Sequence, residues 1–197
     1  MTDLILASSS RYRAALLERL GLPFRSCAPD VDERPLVREA PEALVERLSR
    51  AKAAAGAATA GAGRALVIGS DQVAVCGDRV LGKPGTAENA RAQLAELAGR
   101  RVCFLTGICL HDTATGTGDY ALVTTEVAMR SLSAAEIADY VARERPLDCA
   151  GAFKSEALGI ALFDSVRSDD PTALIGLPLI ALCGMLRRAG VDVLATS

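Results

Sequence analysis

The chain has 197 residues, half of them hydrophobic, with 22 Lys and Arg against 24 Asp and Glu and a single histidine. That length predicts one domain over residues 1–197 with a core large enough to need no staples. A formal charge of −2, 4% aromatics and no Trp argue against nucleic-acid partners and against a stacking platform for single strands. The apolar start Leu4-Ile5-Leu6-Ala7 is too short for a spanning helix or a signal core, so no membrane partner and a cytoplasmic location are expected.

Helix and strand signals alternate along the chain. A short apolar strand over Leu4 to Ser8 runs into Ser8-Ser9-Ser10, and a helix with Leu16, Leu17 and Leu20 on one face follows, stopped by Gly21 and Pro23. Pro41 to about Ala55 reads as a second helix, with the Ala/Gly stretch from Ala53 to Gly63 as its fraying end and loop. Ala65-Leu66-Val67-Ile68 reads as a buried strand that ends at Gly69-Ser70-Asp71-Gln72, after which Val73 to Cys76 continues extended into a turn at Cys76-Gly77-Asp78. Thr86 caps a helix to Leu97. Strands at about Val102 to His111 and Tyr120 to Met129 flank the turn-rich Asp112 to Gly118. Ser133 and Glu136 form a capping box opening a helix to about Arg143. Gly176-Leu177-Pro178 opens the last helix, which ends at Arg188 before Gly190. The expected fold is a single α/β domain with a mixed sheet flanked by helices.

The six cysteines, Cys27, Cys76, Cys103, Cys109, Cys149 and Cys183, contain no C-x-x-C pair and sit in apolar surroundings, which predicts buried free thiols in a reducing compartment. His111 has no Cys or His at ligand spacing, so neither a zinc site nor a histidine-dependent nucleophile is expected.

The polar residues that stand out lie where strands end or loops begin. Ser8, Ser9 and Ser10 precede a helix carrying Arg11 and Arg13, an arrangement that suits phosphate or serves as a plain N-cap. Neither a Walker loop nor a dinucleotide-binding glycine pattern is present. Asp71 is expected just past an apolar strand, as a hydrogen-bonded cap, a metal ligand or a base. Asp32-Glu33 after Pro29 form an acidic pair, and one of them with Asp71 could hold Mg²⁺. Lys52, Lys83 and Lys154 are the only lysines. Lys83 and Lys154 sit in loop-like motifs, where a compact ammonium suits a triphosphate or is simply solvated.

Taken together, Leu4-Ile5-Leu6-Ala7-Ser8-Ser9-Ser10-Arg11-Tyr12-Arg13, Val31-Asp32-Glu33, Ala51-Lys52-Ala53, Ile68-Gly69-Ser70-Asp71-Gln72, Leu81-Gly82-Lys83-Pro84, Thr106-Gly107, Phe153-Lys154-Ser155-Glu156 and Gly176-Leu177-Pro178 resemble the Maf family of nucleoside triphosphate pyrophosphatases, in the family's order and over nearly the whole chain. Ser70-Asp71-Gln72 and Cys149 to Glu156 resemble the YceF branch, which acts on 7-methyl-GTP. The resemblance implies hydrolysis between the α and β phosphates with a divalent cation, Mg²⁺ or Mn²⁺, giving a monophosphate and pyrophosphate. It implies Asp71 as general base and metal ligand, and Glu33 as the second metal ligand. Ser8, Arg13, Lys52, Lys83 and Lys154 become phosphate contacts, and Tyr12, Gln72 and Glu156 become base-selecting residues. Tyr12 stands where the branch commonly has Trp and is a weaker partner for a cationic ring. The family is commonly dimeric, with a mixed, elongated sheet flanked by helices and a nucleotide cleft, so the resemblance implies that fold and a homodimer. A dTTP/UTP pyrophosphatase of the sister branch and a non-catalytic nucleotide-binding regulator of cell division are the alternatives.

Overall fold

The computed structural model describes residues 2–195. Its elements run β1 (Asp3–Ala7), α1 (Arg11–Glu18), β2 (Arg25–Cys27), α2 (Pro41–Ala57), β3 (Ala65–Cys76), β4 (Arg79–Leu81), α3 (Ala87–Leu97), β5 (Arg101–Asp112), β6 (Thr117–Met129), α4 (Ala134–Glu144), β7 (Phe163–Ser168) and α5 (Leu179–Arg188). Short 3-10 turns lie at Ala150–Ala152, Leu158–Leu162 and Ala173–Ile175. The strands hydrogen-bond in the order β2-β1-β3-β5-β6-β7, with β4 on β3. β1 pairs in parallel with both β2 and β3, whereas β3/β4 and β6/β7 are antiparallel, so the sheet is mixed as expected.

The chain divides into two compact units. The first takes the residues up to Gln72, Thr106–Val123 and those from Asp170 on; the second takes Val73–Leu105 and Thr124–Asp169. In the first, side chains alternate across β1 and β3, and both faces are covered, which is why each strand reads as an unbroken apolar run. Leu4, Leu6, Leu66 and Ile68 pack with Leu16 and Leu17 of α1 and Leu182, Met185 and Leu186 of α5. Ile5, Ala7, Ala65 and Val67 form the opposite layer, against Ala57 of α2. In the second unit, Thr86 and Ser133 cap α3 and α4 through their side chains, and the Ser133–Glu136 capping box closes in both directions. Phe104, Phe153 and Phe163 stack edge to face at centroid distances of 5.3 and 4.7 Å.

Three expectations change. β3 runs unbroken through Gly69-Ser70-Asp71-Gln72 instead of ending there. Helix α2 continues to Ala57 rather than fraying from Ala53, because its small residues are contact residues: a Cβ on Gly56 would lie 2.7 Å from both Ala7 and Val67. All six cysteines are free, but only Cys76 and Cys109 are buried; the other four are half-buried. The short strands β2, β4 and β7 carry no apolar alternation long enough to announce them.

Candidate active site

The site is built on the middle of β3. Polar residues survive inside this buried strand because each has a partner. The Ser70 hydroxyl, fully buried, lies 2.7 Å from the Gly107 carbonyl and 3.0 Å from that of Gly176. The Asp71 backbone N–H donates to Ser49 Oγ at 3.0 Å, and Lys52 Nζ donates to Asp71 Oδ1 at 2.6 Å. The same ammonium lies 2.6 Å from Glu33 Oε1. Lys52 and Asp71 are buried side chains, 7% and 11% exposed, whereas Glu33 reaches in from a loop at 59%. The expectation of a carboxylate beyond a strand end is therefore corrected: Asp71 is a mid-strand residue, tolerated there because a buried charge needs a paired partner and Lys52 supplies one.

Two glycines make that pairing geometrically available. A Cβ on Gly69 would fall 2.2 Å from the Ser49 carbonyl and 2.4 Å from the Ala53 nitrogen. One on Gly107 would fall 2.6 Å from Val45, 2.7 Å from Ser49 Oγ and 2.9 Å from the Tyr120 hydroxyl. Helix α2 lies directly on bare backbone, and Ser49 and Lys52, three residues apart on one helical face, are delivered to Asp71. Ser49 carries no signal in the sequence. The two glycines that seat α2 do, in Gly69-Ser70-Asp71 and in Thr106-Gly107.

The serine run and Arg13 join this cluster. Ser10 is the N-cap of α1, accepting from the Arg13 N–H at 3.4 Å, and Ser8 Oγ accepts from Ser10 N at 3.1 Å. Arg13 Nη1 lies 3.5 Å from Ser8 Oγ, and its Nε donates to the Gly176 carbonyl at 2.8 Å. Burial pushes the Arg13 guanidinium below its usual range, while the charges of Asp71 and Glu33 pull it back up. Arg13 therefore shares the electrostatic environment of the two acids. Of the acidic pair, Asp32 turns away and is held by Arg34, whose guanidinium keeps its carboxyl below the ordinary carboxylate range.

The remaining expected residues fall out differently. Gln72 places its amide nitrogen 2.8 Å from Thr106 Oγ1, 2.9 Å from the Ala173 carbonyl and 3.2 Å from that of Leu174. Its nitrogen thus holds the Ala173–Ile175 turn. Tyr12 is half-buried, with its hydroxyl accepting from Arg11 at 2.8 Å and the Arg11 guanidinium 4.9 Å over its ring. In the second unit, Lys83 and Glu156 are exposed. Lys154 donates to the Glu144 carbonyl at 2.5 Å, at the C-terminal end of α4, where a cation suits the helix dipole.

Among the described residues no group of three or more His, Cys, Asp or Glu could hold a metal. The donor set nonetheless fits a hard divalent cation of the kind that takes one or two carboxylates and completes its shell with water and substrate phosphate. Asp71 Oδ1 and Glu33 Oε1 both lie 2.6 Å from one nitrogen, which brings the two oxygens within about 5.2 Å of each other.

The first unit thus holds a buried acid paired with a lysine on its α/β sheet, together with a capped helix start whose Arg13 reaches Ser8 and the Gly176 carbonyl. The Maf-like protein family model matches residues 3–189, and the chain belongs to that family. It is 55% identical over 195 residues to a 7-methyl-GTP pyrophosphatase of Burkholderia orbicola, covering 98% of this chain and 93% of the relative. A protein of the same name from Nitrosococcus oceani is 52% identical over 97% of this chain and 95% of its own. One from Pseudomonas putida is 53% identical over 98% of this chain and 100% of its own.

Proposed function

We propose that this chain is a nucleoside triphosphate pyrophosphatase that hydrolyses 7-methyl-GTP to 7-methyl-GMP and pyrophosphate. The observation that carries the reading is the Lys52 ammonium shared by Asp71 and Glu33 at 2.6 Å each. Family membership and three relatives bearing that activity in their names support it.

In the proposed reaction a water oxygen bonds to the α-phosphorus. The bond from that phosphorus to the oxygen bridging the β phosphate breaks, and pyrophosphate leaves with the electron pair. Asp71 orients the water and accepts its proton, and Lys52 fixes the carboxylate that does so. Arg13 and the Ser8 turn hold phosphate oxygens through N–H and O–H donors, spreading the negative charge that develops on the leaving group. Asp71 and Glu33 would hold a divalent cation, Mg²⁺ or Mn²⁺, which when bound neutralises phosphate charge and acidifies water. Lys83 and Lys154 as phosphate contacts, and Tyr12, Gln72 and Glu156 as base-selecting residues, rest on the family resemblance. Glu156 would offset the positive charge of an N7-methylated guanine. A homodimer and a cytoplasmic setting complete the proposal, the latter supported by six free cysteines. No helix among the described residues is long and apolar enough to cross a membrane.

The test is a panel of canonical and N7-methylated nucleoside triphosphates, assayed with and without Mg²⁺ for pyrophosphate and orthophosphate. Pyrophosphate from 7-methyl-GTP in preference to GTP, dTTP and UTP is expected, and Asp71→Asn should abolish its release while nucleotide binding survives. Orthophosphate as the first product would overturn the cleavage point. Preference for dTTP or UTP would move the substrate to the sister branch, and binding without turnover would favour a regulator.

A further inference from the structure

The turn at Ala173–Ile175 and the glycine after it present backbone carbonyls to the site. Ala173 O accepts from Thr106 Oγ1 at 3.0 Å as well as from Gln72, and Gly176 O accepts from Arg13 Nε at 2.8 Å, with the Ser70 hydroxyl 3.0 Å from the same oxygen. A guanidinium is planar, so fixing the Nε–H direction fixes the plane in which the two terminal nitrogens fork. The Gly176 carbonyl therefore aims Arg13. Gly176 itself has φ +118°, a left-handed conformation that side-chain-bearing residues rarely adopt.

What holds this turn from behind is a buried carboxylate with no part in the chemistry described above. Asp170 is 2% exposed. Its Oδ1 accepts from the Thr172 N–H at 3.1 Å and lies 2.7 Å from the Thr172 hydroxyl, while Oδ2 accepts from the Ile180 and Ala181 N–H groups at 2.7 and 3.2 Å. Thr172 Oγ1 lies 2.8 Å from the Leu177 carbonyl and accepts from Leu179 N at 2.8 Å. One acid thus ties the start of the turn to the first turn of α5, and one hydroxyl staples the two ends of the loop across Gly176.

We propose that Asp170 and Thr172 are positioning residues that aim the Arg13 guanidinium at the substrate's phosphate tail through the Gly176 carbonyl. The inference rests on the pyrophosphatase reading of the site. A residue that only caps α5 would affect stability and leave kinetics measured well below the melting temperature unchanged. A positioning residue lowers kcat/KM in the folded enzyme, and its effect disappears once the group it aims has been replaced.

The test uses Thr172→Val, which keeps shape and loses the hydroxyl, together with Thr172→Ser, Arg13→Lys and the Thr172→Val/Arg13→Lys double variant. Each is assayed for pyrophosphate release from the preferred triphosphate at a temperature well below its own melting point. Thr172→Val is expected to lower kcat/KM about 10- to 100-fold, the scale of a misaimed group. Thr172→Ser restores most of it, and the double variant is no worse than Arg13→Lys alone. Asp170→Asn, which exchanges one accepting carboxylate oxygen for a donating amide nitrogen where both oxygens accept, is the second route to the same loss should Thr172→Val fail to fold. Wild-type kinetics in folded Thr172→Val or Asp170→Asn, or losses that multiply fully with Arg13→Lys, would overturn the positioning role and leave the pyrophosphatase reading standing. A wild-type enzyme that releases no pyrophosphate from any triphosphate would overturn both.

Discussion

Replacing Gly69 by alanine adds one methyl group where the backbone of helix α2 already sits. The new Cβ would lie 2.2 Å from the Ser49 carbonyl oxygen and 2.4 Å from the Ala53 nitrogen, against the 3.4 Å at which ordinary contact begins. Both atoms are helix backbone, so no side-chain rotation relieves the clash, and α2 must lift from β3 by about 1 Å or β3 must bow. Overpacking of this kind costs about 1–3 kcal/mol, or roughly 2–12 °C in melting temperature for a chain of this size. The functional loss should be larger than the thermal one. The helix that moves carries Ser49 and Lys52, whose bonds to Asp71 are 3.0 and 2.6 Å, and a 1 Å displacement of a positioned group can cost on the order of 10²-fold in rate. Scanning calorimetry and a pyrophosphate-release assay on Gly69→Ala measure the two effects, with Gly63→Ala as control because a Cβ there meets nothing within 4 Å. A Gly69→Ala protein with the wild-type melting temperature and turnover would refute the claim that bare backbone at residue 69 seats the lysine on the acid.

Lys52→Met should cost about 3–5 kcal/mol in chemical denaturation, because it strands the buried Asp71 carboxylate without its cation, and should abolish turnover. Ser133→Ala removes one side of the α4 capping box and should lower stability by about 1 kcal/mol in the same denaturation experiment, with kcat and KM unchanged. Acid titration of stability follows from Glu136, whose carboxyl is held down at about 2 by the Ser133 backbone N–H, the Ser133 hydroxyl and Arg130. A carboxyl lowered from an ordinary 4.5 stabilises the fold fully above that value and loses its contribution as pH falls toward 2. The melting-temperature deficit of Glu136→Gln should therefore be present at neutral pH and shrink between those two values. A deficit independent of pH would refute the assignment.

The elements whose signals are local can be read from the chain alone. The capping box at Ser133–Glu136, the Thr86 cap, the continuous apolar run of β1 and the turn between β5 and β6 follow from residues within a few positions of each other, so their chemistry is complete before the chain folds. The sequence also named Asp71, Lys52 and Glu33, which ion pairs join in the first unit, and Ser8 and Arg13, whose side chains meet there. The unbroken course of β3 through Asp71 depends on a contact across the fold, because a charged residue inside a strand looks like a strand end until a partner 19 positions away on α2 is seen to neutralise it. Tertiary structure likewise committed the Gln72 amide nitrogen to the carbonyls of Ala173 and Leu174, about a hundred residues on. It also revealed Asp170 and Thr172 behind Arg13. Hydrogen bonds across such separations leave no periodicity in a sequence, since either partner alone is only a polar residue awaiting a mate.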